Sequence, residues 1–409
     1  MRLLPILPAL LCLAAALPEP DYRAIDQPPH EYHSRQPRDR FSRLKEDLES
    51  GRIALDHRSE KAFVTSLLAV LEIPVSSQML VFSTTSLQLR LITPSNPRAI
   101  YFNEEIYLGW VPGGRIEVLS LDPELGAIFY IFDPPREGVP LRVERSERCM
   151  NCHAGEDTGR VPGLVVKSVV PGPSGGSLTA FRLGETGHGI PFDQRFGGWY
   201  VTGKNDISPW SNIVGRFSAG QLLKTTVAPG TMFEFARYPA ATSDILPQLL
   251  HEHQAGFVNR VVEAGYRART YLHSDGRQLT EAHAALLDEQ ARVVTRYLLF
   301  AAEAPLPSAL SVDASFQKDF LKTRRGPGGA ALKDFDLQTH LFRNRCSYMI
   351  YTPIFTALPA ELKQRIYTEL AGALSTAKPN AEYAYLPAPE KRAIHSILKS
   401  TLSDLPVEW

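Results

Sequence analysis

The chain has 409 residues, with 44 Lys plus Arg against 44 Asp plus Glu, so its formal net charge is zero. That balance offers no basic field to hold nucleic acid or an anionic membrane surface. The length allows two or more domains whose cores need no disulfides.

The first residues, MRLLPILPALLCLAAALPEP, carry one early Arg, an apolar run from Leu3 to Leu17 and small residues ending at Ala16. This is the pattern of a secretory signal peptide, 1–16, cleaved near Ala16. The run falls short of the ~20 apolar residues of a membrane span, so the mature chain is expected to carry no transmembrane segment. Residues 17–45 are polar, Pro-rich and free of apolar periodicity, which predicts an exposed leader.

A helical pattern follows from Ser59 to Ile73, with Phe63, Leu67, Leu68 and Leu71 on one face and Pro74 as its stop. From Met79 to Phe132 the period changes to two. Leu87, Leu89 and Leu91 alternate with Gln88 and Arg90, and Ile116 and Val118 with Arg115 and Glu117. The runs AIYFNEEIYLGWV and GAIFYIFD are rich in aromatic and β-branched residues, with turns at 112–114 and 122–123. A small antiparallel sheet is predicted.

Next comes RCMNCHAG, 148–155, which holds two of the four cysteines and a histidine directly after the second. With eleven His in the chain, C-x-x-C-H arises by chance in roughly one such sequence in a thousand. A zinc site would need a second ligand pair at similar spacing, and none is present. The motif fits covalent c-type haem instead, with Cys149 and Cys152 as thioethers to the vinyl groups and His153 as the proximal iron ligand. Export and this motif agree, because bacterial c-type haem is attached outside the cytoplasm. The protein is therefore expected to be periplasmic. Cys346, in an apolar run, is expected to be a small core residue.

Downstream, GRVPGLVVKSVVPGPSGGS predicts one strand among Gly/Pro-rich loops, and FGGWYVTG another. PGPSGGS lacks the Lys-Ser/Thr of a phosphate loop and reads as a turn. Amphipathic helices are predicted from Ile245 to Leu272 and, capped by Thr280, from Glu281 to Phe300. Pro359 and Pro387 introduce two more. The fold class is α+β: a β-rich haem-bearing domain over 46–235 with an antiparallel sheet, followed by a mainly helical domain over 236–409.

YFNEEIYLGWVPGG, CMNCHAG, HGIPFDQRFGGWYVTG, LLHEHQAGFVN and DFDLQTHLFRNRCSYMIYTPIF together resemble an uncharacterised family of secreted bacterial mono-haem proteins, planctomycete-like and described as cytochrome c domain proteins. The resemblance spans about residues 80–370. It implies one haem c and no known activity. Where a His-rich segment is expected after VTG, the chain reads KNDISPWSNIVG, without His or Met, which argues against an iron ligand in that loop.

The expected function is electron transfer to a redox partner protein through a haem whose second ligand sets its potential. The alternative is a peroxidase-like enzyme or a haem-based sensor with an open sixth position, for which Arg195 and His188 in HGIPFDQR are the distal candidates. For the second ligand, Met79 and Met349 lie in apolar runs where methionine is filler. His253 falls on the apolar stripe of the 245–272 helix with Leu246, Leu250, Phe257 and Ala264, while His251 lies well round the helix from it. The distal ligand is therefore expected to be His253 or His188. A hydrogen-bonded core histidine is the plainer alternative for each. Trp199 and Tyr200 are candidates for the haem edge or for plain core.

Overall fold

A computed structural model describes residues 20–84, 86–134, 139–181, 187–203, 207–276, 278–322, 325–407 and 409. The expected signal peptide lies outside them. In chain order come α1 (Arg40–Glu49), α2 (Glu60–Val70), β1 (Met79–Val81), β2 (Arg98–Phe102), β3 (Ile106–Trp110), β4 (Ile116–Asp122), β5 (Gly126–Phe132), β6 (Glu144–Arg145) and the short α3 (Met150–His153). Then follow β7 (Val169–Pro171), β8 (Ser177–Ala180), β9 (Trp199–Tyr200), β10 (Ile213–Ser218) and β11 (Gln221–Thr226). The C-terminal part is helical: α4 (Ile245–Ser274), α5 (Glu281–Leu298), α6 (Ala314–Phe320), α7 (Pro353–Thr356), α8 (Ala360–Leu374) and α9 (Ala388–Thr401). The architecture is α+β, as the periodicities predict.

Seven strands form one antiparallel sheet in the order β6-β5-β4-β3-β2-β1-β9. Both faces are covered, which is why its strands read as nearly unbroken apolar runs. One face (Leu80, Ala99, Tyr101, Leu108, Trp110, Val118, Ile128) packs under Phe41 of α1 and Phe63, Leu67 and Leu68 of α2. The other (Met79, Ile100, Phe102, Tyr107, Leu121, Phe129, Trp199) shares one continuous core with α4 and the helices after it. The division expected at 235/236 is thus no boundary in the packing. The reason is α4, buried on nearly all sides from Ile245 to Asn259, so that it serves the sheet and the helical layer at once.

The caps are legible residue by residue. Asp39 Oδ1 accepts from the Phe41 and Ser42 amides, Ser59 Oγ from Ala62, and Thr280 Oγ1 from His283. Two details of the strand reading change. The Leu87–Leu91 stretch forms turns rather than a strand, and its three leucines are exposed; alternation without a partner strand carries no ladder. Conversely, β10 and β11 pair around Ala219-Gly220, both at positive φ (48° and 77°). That is a type I′ hairpin, which Ala-Gly announces weakly beside Asn-Gly.

The expected exposed leader is also corrected. Residues 20–39 form a strap laid over the body. Tyr22 Oη donates to Glu263 on α4 at 3.1 Å, His30 Nε2 lies 2.8 Å from Thr270 Oγ1 and stacks on Tyr266, and Tyr32 Oη donates to the Ala127 carbonyl at 2.7 Å. His30 and Tyr32 are each 2 % exposed. Polar side chains with distant partners leave no periodic signal, so composition alone misreads them.

Gly126 opens β5 at φ +77°, and a Cβ there would meet the Pro162 carbonyl oxygen at 2.6 Å and Val262 at 2.8 Å. Gly126→Ala is therefore expected to destabilise by about 2–4 kcal/mol, from the left-handed strain plus the clash. Urea unfolding monitored by circular dichroism measures it, and a loss under about 1 kcal/mol would refute the close approach.

Candidate functional site

The Cys149–His153 motif sits where the polypeptide leaves the sheet. The amide of Ser146 donates to the Phe129 carbonyl of β5 at 2.8 Å, a 3-10 turn spans Glu147–Cys149, and α3 follows at once. One turn and a half thus presents both thiols and the imidazole together. Cys149 and Cys152 are free thiols; Cys152 is exposed and Cys149 half-buried, with its Sγ 3.5 Å from Ser146 Oγ. Burial pushes the Cys149 thiol up from its ordinary value.

His153 is oriented from both sides. Its ring lies against Phe129 at 4.6 Å between centroids, and Nδ1 is 2.9 Å from the Gly163 carbonyl oxygen. A carbonyl only accepts, so Nδ1 carries the proton and Nε2 keeps its lone pair free. The loop that returns this carbonyl is closed by Gly163 N donating to the His153 carbonyl at 2.8 Å. Asn259 of α4 clamps it, accepting from the Leu164 amide and donating to the Leu164 carbonyl, both at 2.8 Å. Burial lowers the His153 pKa against that hydrogen bond, and the charge of Arg98 adds to the lowering. A neutral imidazole with one bound and one free nitrogen is the form a metal ligand takes.

Beside it, on the same face of the sheet, Arg98 of β2 crosses above Gly109 of β3, where a Cβ would lie 2.1 Å from the guanidinium. Arg98 Nη2 stands 2.5 Å from Glu117 Oε2 with both side chains largely buried, and among the described residues the buried Arg98 Nε has no hydrogen-bond partner. Spacing alone could not single out this pair, because its partners come from neighbouring strands.

The two expected distal candidates lie elsewhere. His253 is fully buried with both ring nitrogens engaged: Nδ1 is 2.9 Å from His188 Nδ1, and Nε2 is 2.8 Å from Ser347 Oγ. His188 is wedged against Tyr297 and Phe300, at 4.1 and 4.5 Å between centroids, and its Nε2 faces the Ala301 carbonyl short of a well-formed hydrogen bond. The two rings are hydrogen-bonded to each other against Tyr297 and Phe300, the plainer alternative named for each. Arg195 is likewise engaged. It donates to the Ile190 and His188 carbonyls at 2.6 and 2.7 Å and stands 3.3 Å from Glu252, with both side chains buried.

His251, set aside by the stripe argument, faces the sheet instead. It lies against Phe102, Tyr107 and Trp199, at 5.7, 5.6 and 6.3 Å between centroids, and is 7 % exposed. Burial, with Arg98 adding to it, pushes its pKa down to about 3. Among the described residues its ring has no hydrogen-bond partner. With Met79, Val166, Phe196 and Trp199 it lines a small cavity. Trp199 is held there by its Nε1 donating to the Lys167 carbonyl at 2.9 Å, while Tyr200 points to the other face and donates to the Pro94 carbonyl.

Cys346 is fully buried core, as expected. No three His, Cys, Asp or Glu side chains gather into a bare metal site among the described residues, and none of the described helices is long and apolar enough to cross a membrane. Compared with family models, curated proteins and solved structures, the chain finds no match.

Proposed function

We propose that this chain is an exported, periplasmic mono-haem cytochrome of the c type that transfers electrons to a redox partner protein, and that it belongs with the secreted mono-haem proteins it resembles. The observation that carries the reading is His153: it follows two free thiols on one turn, with Nδ1 fixed on a backbone carbonyl and Nε2 left free. The residues fit the group. Cys149 and Cys152 would hold the porphyrin as thioethers, His153 would ligate the iron, and Arg98, which beside its Glu117 partner keeps Nε as an unfilled donor, suits an anionic propionate. When bound, the haem supplies one-electron chemistry; the chain anchors it, orients the ligand and excludes water. The peroxidase-like or sensor reading needs Arg195 or His188 beside an open position; Arg195 is spent on the Ile190 and His188 carbonyls and His188 Nδ1 on His253, which favours the carrier.

The haem is expected to stay with the denatured protein through acid–acetone extraction and to show the pyridine haemochrome of two thioether links. Cys149→Ala or Cys152→Ala should leave one link and shift that band. Haem that washes out of the denatured wild-type protein would overturn the proposal.

A further inference from the structure

We infer that His251 of α4 is the second protein ligand of the haem iron, a step that rests on reading Cys149–His153 as the haem attachment. The first reason is chemical. His251 is an imidazole packed among aromatic rings, 7 % exposed and without a hydrogen-bond partner among the described residues, so its ring nitrogens stand open to a ligand. His253, two residues on, has both nitrogens satisfied and points about 200° round the helix from His251.

The second reason is the register of the sheet. Phe129, Leu119, Tyr107 and Phe102 are successive cross-strand partners across β5, β4, β3 and β2. They form one row on one face. His153 packs on Phe129 at one end of the row, and His251 packs on Tyr107 and Phe102 at the other. Neighbouring strands are ~4.8 Å apart, so the two anchoring positions are separated by about 10–14 Å along the sheet. Two neutral imidazoles thus stand over the same face with β4 between them, and the charge of Arg98 reaches both.

The third reason is economy of architecture. The same helix carries Asn259, which clamps the loop bearing the Gly163 carbonyl. Helix α4 therefore governs the proximal histidine through Asn259 and offers the distal one itself. This gives a role to the large helical part that one tethered haem does not otherwise require. Two histidine ligands close the iron to small molecules and leave it only electrons to exchange.

The test uses purified haem-loaded protein in the ferric state. The wild type is expected to be low-spin and unmoved by cyanide. His251→Ala should keep its covalent haem, turn high-spin, bind cyanide and return to low-spin with added imidazole. His251→Met, which keeps the volume if the alanine variant does not fold, should stay six-coordinate with its midpoint potential shifted upward. A covalently loaded wild type that already binds cyanide overturns the inference and leaves the haem reading standing. So does a His251→Ala protein that stays low-spin, or a Met79→Leu protein, altered in the same cavity, that opens the iron instead. Wild-type protein without covalent haem defeats the attachment reading, and this inference falls with it.

Discussion

His153→Ala is expected to leave the protein with little haem and to move the Soret band of what remains. The imidazole is the one strong ligand that the attachment turn itself supplies, placed by the residue order Cys152-His153 and by the Phe129 ring. Its loss removes the nitrogen on the proximal side and leaves Gly163 O without its donor. No group of three His, Cys, Asp or Glu side chains gathers among the described residues to take its place. The thioethers can still form, so the measurement separates attachment from ligation. Haem content by pyridine haemochrome should fall, and the ferric spectrum of the residual fraction should be high-spin. Asn259→Ala, which frees the Gly163–Leu164 backbone but keeps His153, should give a weaker version of the same change, because second-sphere partners tune a ligand rather than supply it. A His153→Ala protein with wild-type haem content and Soret position would show that another residue holds the iron.

The unfolding free energy is expected to fall by about 5 kcal/mol between pH 7 and pH 5. Burial pushes His30, His251 and His253 down to about 3, and places His188 well below the ordinary value as well. Below pH ~6.5 the unfolded chain takes up protons at these rings while the folded chain does not. Stability therefore is complete above that pH and drains as it falls, at about 1.4 kcal/mol per pH unit for each such histidine. Glu303 acts in the opposite sense: burial raises it to about 7, so the folded state holds the extra proton and gains stability as pH drops toward ~4.5. Burial also raises Glu105 and Asp244, whose smaller contributions share that sign. The balance is a little under three histidines, which sets the figure above. Urea titrations at pH 7 and pH 5 measure it. His30→Phe, which keeps a ring to stack on Tyr266, should remove about 2 kcal/mol of the drop. An equal drop in that variant would mean that His30 is not the buried neutral base its contacts make it.

Much of this molecule is local enough to be written in the chain order. The Cys149–His153 turn, the caps at Ser59 and Thr280, the helices beginning at Ile245 and Glu281, and the aromatic strands around Pro112 and Asp122 each depend on residues within a few positions of one another. Propensity, capping and turn chemistry act over that range. The antiparallel pairing of β2 to β5 follows from their short turns for the same reason. What joins distant stretches could be decided only by folding. The stripe on α4 favoured His253 because a helix buried on one side shows its core by period; α4 is buried on nearly all sides, so periodicity could not say which histidine meets the sheet. The strap of residues 20–39 looked like solvent-exposed polar chain because its partners, Glu263, Thr270 and Ala127, lie about a hundred or more residues away. The clamp of Asn259 on the His153 loop, the Arg98–Glu117 pair above Gly109, and the single row that aligns His153 with His251 arise from strand register and helix packing. Those are properties of contacts between segments, and no window of the sequence contains them.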